Sequence, residues 1–131
     1  MNLNQVTVPA RDVRASVEFY KRLGLRLIVD SIPRYARFEC PEGDSTFSVE
    51  LTEGIATGIG VIVYFECVNL DETVTALQAQ GFVFDSGPTD QPWLWREARL
   101  RDPSGNQICL FRAGEYRRNP PWRIQQNQID S

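Results

Sequence analysis

Alternation opens the chain. In Gln5-Val-Thr-Val-Pro9 the two valines at 6 and 8 fall on one face, the period-two signature of a half-buried strand. The period then changes. Val13, Val17 and Tyr20 recur at helical spacing, Asp12 stands where an N-cap is needed, and Gly24 closes the stretch as a C-cap glycine does. Leu25 to Val29 predicts a short apolar strand. Tyr35 to Cys40 and Thr46 to Thr52 alternate again, with Pro41-Glu-Gly-Asp44 between them as a turn.

The same order then returns. Ile62 to Cys67 predicts a strand with Val61, Val63, Phe65 and Cys67 on the face toward a helix, which makes Cys67 a core residue. Leu70, Val74 and Leu77 predict a helix ending at Gly81. Phe82 to Phe84 predicts a short strand, Trp93 to Arg101 a longer one, Asp102-Pro-Ser-Gly105 a turn, and Gln107 to Arg112 the last strand.

These two halves superpose by register. Val13, Val17, Tyr20 and Gly24 map onto Leu70, Val74, Leu77 and Gly81 at an offset of 57. Ala36-Arg37-Phe38 maps onto Ala98-Arg99-Leu100 at 62, and Glu50-Leu51 onto Cys109-Leu110 at 59, so the length changes fall in loops. Internal repetition of this kind decides the fold class before any single residue does. We expect an α+β fold in which tandem βαβββ modules form a curved mixed sheet around a cleft. The chain reads as one domain, residues 1–131, with modules at about 1–57 and about 58–112 and a C-terminal extension over 113–131.

One amphipathic helix covers one face of each module's sheet, which leaves the other face for a ligand. Val6, Val8, Val49, Leu51, Val63, Phe65, Ile108 and Leu110 are expected toward the helices. Their alternate neighbours point the other way. In the first half these include Gln5, Tyr35, Arg37, Ser48 and Glu50. In the second they include Tyr64, Glu66, Trp95, Glu97, Arg99, Cys109 and Phe111. That set is too polar for a core and too aromatic for bare surface, so it predicts a binding cleft.

Composition narrows the chemistry. With 42% hydrophobic residues and a net charge of −3 the chain is an ordinary globular one, with no electrostatic footprint for nucleic acid or a membrane surface. No apolar run approaches the roughly 18 residues of a membrane span. Met1-Asn-Leu-Asn-Gln5 has neither the basic opening nor the apolar centre of a secretory leader. Cys40, Cys67 and Cys109 form an odd set without Cys-x-x-Cys spacing, so the cytoplasm is the expected compartment. There is no histidine, which removes Ser-His-Asp, Cys-His and His-ligated metal mechanisms. Lys21 is the sole lysine beside thirteen arginines, so Schiff-base chemistry has one candidate.

Arg37 and Arg99 are repeat mates aimed at the cleft. Either they grip an anionic ligand or they belong to an internal ion-pair network with Glu50, Glu66 and Glu97. A buried glutamate among them, Glu50 or Glu97, is the candidate base if there is catalysis. Trp95 offers an indole face to an aromatic or cationic ligand, whereas Trp93 suits that role or a subunit interface. Cys109 reads as a structural thiol, since no histidine activates it. In the tail, Pro120-Pro121 favours an extended arm on which Arg117, Arg118 and Trp122 either reach the cleft or pack on their own domain.

Two stretches carry a family resemblance: Asp12 to Leu25, in the form D-x-x-x-S-x-x-F-Y-x-x-L-G-L, and Asp102-Pro-Ser-Gly-Asn106. With the duplicated βαβββ order, residues 3–112 resemble the vicinal-oxygen-chelate superfamily, which holds glyoxalase I, bleomycin- and fosfomycin-resistance proteins and extradiol dioxygenases. The resemblance implies four repeat-related metal positions, occupied here by Gln5, Glu50, Ile62 and Cys109. Isoleucine holds no metal, and an amide, a carboxylate and a thiol make a mixed set. The expectation is therefore no cofactor. If an ion binds (nickel, zinc or manganese), Gln5, Glu50 and Cys109 would hold it. The resemblance implies a homodimer that binds a small aromatic or anionic molecule through Gln5, Tyr35, Arg37, Tyr64, Glu66, Trp95, Arg99, Cys109 and Phe111. The alternative is a divalent-metal lyase or isomerase of the lactoylglutathione lyase type.

Overall fold

Asp12 starts the first helix in the way its position suggests, its Oδ1 accepting a hydrogen bond from the Ala15 amide at 3.0 Å. Gly24 ends it. At φ +123° its amide bonds back to the Tyr20 and Lys21 carbonyls, a conformation that a side chain would oppose. The computed structural model describes residues 2–53 and 61–124. The expected module boundary near 57 and the Gln-rich residues 125–131 lie outside the described residues.

In chain order the first half runs β1 (Gln5–Ala10), α1 (Val13–Leu23), β2 (Arg26–Ser31), β3 (Tyr35–Glu39) and β4 (Thr46–Leu51). The second runs β5 (Ile62–Glu66), α2 (Leu70–Ala79), β6 (Phe84–Asp90), β7 (Arg96–Arg101) and β8 (Gln107–Arg112), followed by a 3-10 turn at Gly114–Arg117. The strands form two four-stranded sheets, ordered β1-β4-β3-β2 and β5-β8-β7-β6, so the repeat seen in sequence is a repeat in topology. In the first sheet β1 runs parallel to β4 with Thr7 opposite Ser48, and β3 runs antiparallel to β4 with Arg37 opposite Ser48 and Tyr35 opposite Glu50.

The chain divides into two compact units. One gathers the residues up to Ile62 with Arg101–Gln107; the other holds Val63–Leu100 with the chain from Ile108 onward. The first unit's core packs α1 on β2, β3 and β4 through Val13, Val17 and Tyr20 against Phe38, Phe47 and Val49, with the Tyr20 and Phe47 rings 4.6 Å apart. In the second, Leu70, Val74 and Leu77 of α2 are buried, as are Ala98, Leu100, Ile108 and Leu110 of the sheet. Burial of such side chains is worth roughly 1.5–3 kcal/mol each relative to exposure.

Three local expectations are corrected. The strand placed at Phe82–Phe84 is β6, Phe84–Asp90, because Phe82 is taken up in closing α2, its amide bonding the Leu77 carbonyl at 3.1 Å. This edge strand carries two register shifts and a proline, and most of its residues are exposed, so it has no alternation to read. The strand placed at Trp93 starts at Arg96, since residues 91–95 form a turn. Cys67 is half-buried rather than core: it keeps the parity of Val63 and Phe65, which are half-buried too, and its amide bonds the Phe111 carbonyl at 2.8 Å just past the end of β5.

Candidate functional site

On the first unit, parity places Gln5 and Thr7 of β1, Ser48 and Glu50 of β4, and Tyr35 and Arg37 of β3 together, and hydrogen bonds join all of them except Glu50. Ser48 is fully buried and central. Its Oγ accepts from the Tyr35 hydroxyl at 3.0 Å and from Gln5 Nε2, and lies 3.3 Å from the Thr7 hydroxyl. Gln5 Oε1 accepts from the Thr46 hydroxyl, so both ends of this amide are engaged. Arg37 Nε donates to the Tyr35 oxygen at 2.9 Å. Burial pushes the Tyr35 phenol up, but its hydrogen bonds with Ser48 and Arg37 and the nearby guanidinium charge outweigh it and leave its pKa below the ordinary value. Glu50 is exposed, and among the described residues no ion pair joins it to Arg37.

The second unit presents rings. Trp95 and Phe111 stack with centroids 4.7 Å apart and planes at 21°. Tyr64 stands edge-on to both, at 6.0 Å from Trp95 and 5.6 Å from Phe111. Phe111 is buried, Trp95 half-buried, and Tyr64 keeps 42% of its surface exposed. Such offset and T-shaped contacts satisfy the ring quadrupoles, and each adds roughly 0.5–1.5 kcal/mol beyond its area.

Beside the rings lies a buried charge. Glu97 is 3% exposed; its Oε1 takes Arg99 Nη2 at 3.0 Å and its Oε2 takes the Trp93 indole N–H at 2.7 Å. Arg99 in turn lies over Tyr64, 5.8 Å from the ring centroid. The Cys109 thiol is within hydrogen-bonding reach of Glu97, and burial, with that carboxylate beside it, pushes its pKa up to about 12. Glu66 faces elsewhere. Its Oε2 accepts from the backbone amides of Ala113 and Gly114 at 2.8 and 2.9 Å, and Arg117 lies 4.0 Å from its other oxygen. It therefore caps the 3-10 turn that begins the C-terminal extension.

The structure thus gathers Gln5, Tyr35 and Arg37 on one unit, and Tyr64, Trp95, Glu97, Arg99, Cys109 and Phe111 on the other, with Glu50 and Glu66 at the margins. Sequence reasoning gave Trp93 no firm role in the cluster. By parity Trp93 and Trp95 share a face, but the turn between them at Leu94 replaces the strand on which that parity rests, and no local signal reveals that Trp93 bonds Glu97.

The four positions where the resemblance places metal ligands do not fit a divalent ion. Ile62 has no donor atom, the Gln5 amide is spent on Thr46, Ser48 and Thr7, and Cys109 is held as a neutral thiol rather than a thiolate. Glu50 remains as a single exposed carboxylate. Among the described residues no group of three His, Cys, Asp or Glu side chains comes together elsewhere.

Comparison with known proteins agrees with this topology. A family model described as Glyoxalase/Bleomycin resistance protein/Dioxygenase superfamily matches residues 2–110. The YraH protein of Bacillus subtilis (strain 168) is 27% identical over 128 residues, spanning 86% of this chain and 98% of that protein. A crystal structure of a glyoxalase/bleomycin resistance protein/dioxygenase from Nocardioides is 27% identical with a TM-score of 0.74, covering 95% of this chain and 90% of that one. The fold is also that of a bleomycin-binding protein solved with bleomycin, at 21% identity and a TM-score of 0.69 over 86% of this chain and 98% of that one.

Proposed function

The chain belongs to the glyoxalase/bleomycin resistance protein/dioxygenase superfamily, and from that premise we propose that it binds a small ring-bearing molecule without transforming it. The ligand covers the wall of Tyr64, Trp95 and Phe111. The observation that carries this reading is that wall itself: stacked rings, partly open, flanked by Arg99 and its buried partner Glu97. Covering roughly 100 Å² of such surface is worth about 2.5 kcal/mol. A planar ligand gains the same offset contacts that the rings make with one another.

Binding is favoured over catalysis because the titratable groups beside the rings are already engaged. Glu97 has both oxygens engaged, and Cys109 keeps its proton. Among the described residues no hydrogen bond or ion pair aims the Glu50 carboxylate. A lyase or isomerase would need one of these groups as base, and its ion would need ligands that the four positions do not supply. A cytoplasmic homodimer is part of the same proposal, since the two sheets end on β1 and β2 and on β5 and β6, edges of the kind that association covers.

The test is a tryptophan-fluorescence titration with a panel of ring compounds that includes bleomycin. We expect at least one to bind, and Trp95→Ala to weaken it about tenfold, or about 1.4 kcal/mol, with the protein still folded. Equal binding by the variant would overturn the reading. So would stoichiometric nickel, zinc or manganese accompanied by turnover, which is the outcome expected of a lyase.

A further inference from the structure

We infer that the aromatic wall selects a planar ring that is neutral or positively charged and discriminates against an anionic one, because Glu97 cancels the Arg99 guanidinium that faces it. This rests on the reading of Tyr64, Trp95 and Phe111 as the ligand's seat. It goes further in naming the ligand's charge and Glu97 as the residue that sets it.

In sequence, Arg99 looks like a grip for a carboxylate or phosphate. In the structure one arm of that grip is already on a carboxylate. Arg99 Nη2 is 3.0 Å from Glu97 Oε1, and the carboxylate is 3% exposed, so it cannot swing into water to release the guanidinium. The Trp93 indole N–H at 2.7 Å fixes its other oxygen. An anion approaching Arg99 meets a negative charge one hydrogen bond behind the positive one, and the two fields largely cancel. Arg99 also lies over Tyr64, so it already has a ring for a partner.

Other charges do not restore a positive surplus. On β5, Glu66 follows Tyr64 by two residues, and the nearest cation to it, Arg117, offsets it at 4.0 Å. Arg96 of β7 is committed to Asp71 and Asp90, and Arg112 of β8 acts on Asp71. Beside the rings the charges are Arg99 and Glu97, which offset each other, while Glu66 and Arg117 pair at the turn that begins the C-terminal extension. What remains is the negative face of the indole and phenol rings, which attracts a cation and repels an anion. A carboxylate on the ligand would lose its water and gain no counter-charge.

Three ligands with one ring system and three charges test this: 1-naphthylmethylammonium, 1-naphthalenemethanol and 1-naphthoate, titrated into the 131-residue chain at one ionic strength. We expect the ammonium and the alcohol to bind at least tenfold tighter than the naphthoate. Comparable or tighter binding of naphthoate, while Trp95→Ala still weakens binding about tenfold, leaves the aromatic seat standing and overturns the charge inference. If none of the three binds, the seat itself is wrong and the inference falls with it. Glu97→Gln uncovers Arg99 and is expected to shift the naphthoate-to-ammonium ratio at least tenfold toward the anion. An unchanged ratio in folded variant protein overturns the role of Glu97. Should that variant not fold, the ranking in the unaltered protein decides.

Discussion

Leu94 adopts φ +70°, a left-handed conformation that costs a side-chain-bearing residue roughly 1–2 kcal/mol. The reason lies in the turn it completes. Leu94 bonds back to the Gln91 carbonyl at 3.0 Å with Pro92 between them, and the Gln91 amide reaches the Trp95 carbonyl at 2.8 Å. This is a type I turn followed by a left-handed residue, a position that glycine usually fills. The strain delivers Trp93 to Glu97 and Trp95 to Phe111. Leu94 is 44% exposed and packs little, so Leu94→Gly is expected to stabilise the protein by about 0.5–1 kcal/mol in chemical denaturation while leaving ring-ligand affinity within twofold. A destabilised variant would show that the Leu94 side chain, not the turn, matters.

Between β7 and β8, Asp102-Pro-Ser-Gly-Asn106 forms more than a connection. Asp102 is buried, and its carboxylate accepts from the Tyr20 hydroxyl at 2.7 Å, the Ser104 and Asn106 amides at 2.9 and 2.8 Å, and the Asn106 side chain at 2.8 Å. Asn106 also donates to the Pro9 carbonyl, and Ser104 accepts from the Arg11 amide. The turn is thereby tied to β1 and α1. Burial, and then the Asp102 charge, raise the Tyr20 pKa, so the phenol acts as a donor throughout the accessible pH range. Asp102→Ala orphans several buried donors at once and is expected to cost about 3 kcal/mol. Tyr20→Phe leaves three donors on the carboxylate and is expected to cost about 1 kcal/mol, measured the same way. The reverse order would mean that the link to α1, not the turn's own hydrogen bonds, carries the stability.

At the scale of the molecule, residues 101–107 belong to the unit built from the chain's first half. The two repeats are therefore complete as sequence modules but not as folding units. A fragment of residues 1–62 lacks Asp102, Ser104 and Asn106, and so leaves the buried Tyr20 hydroxyl and the Pro9 carbonyl without those partners. It is expected to show no cooperative thermal transition by far-ultraviolet circular dichroism, and a sharp transition near that of the whole chain would refute this.

Periodicity, caps and repetition made both described helices, most of the described strands and the family pattern legible, because each is set by residues within a few positions of one another. Asp12, Gly24 and the stripe Val13, Val17, Tyr20 needed no distant partner to be read. The exposed edge strand β6 escaped because, with few buried side chains, it writes no alternation. The parity argument likewise gathered Tyr64, Trp95 and Phe111 without knowing how they touch. Tertiary structure alone decided which charge meets which: Glu97 buried against Arg99 and Trp93, Glu66 spent on the amides of Ala113 and Gly114, Glu50 left in solvent. Those pairings join residues by orientation and burial rather than by spacing, and a carboxylate reads the same in sequence whether it awaits a ligand or already has a partner.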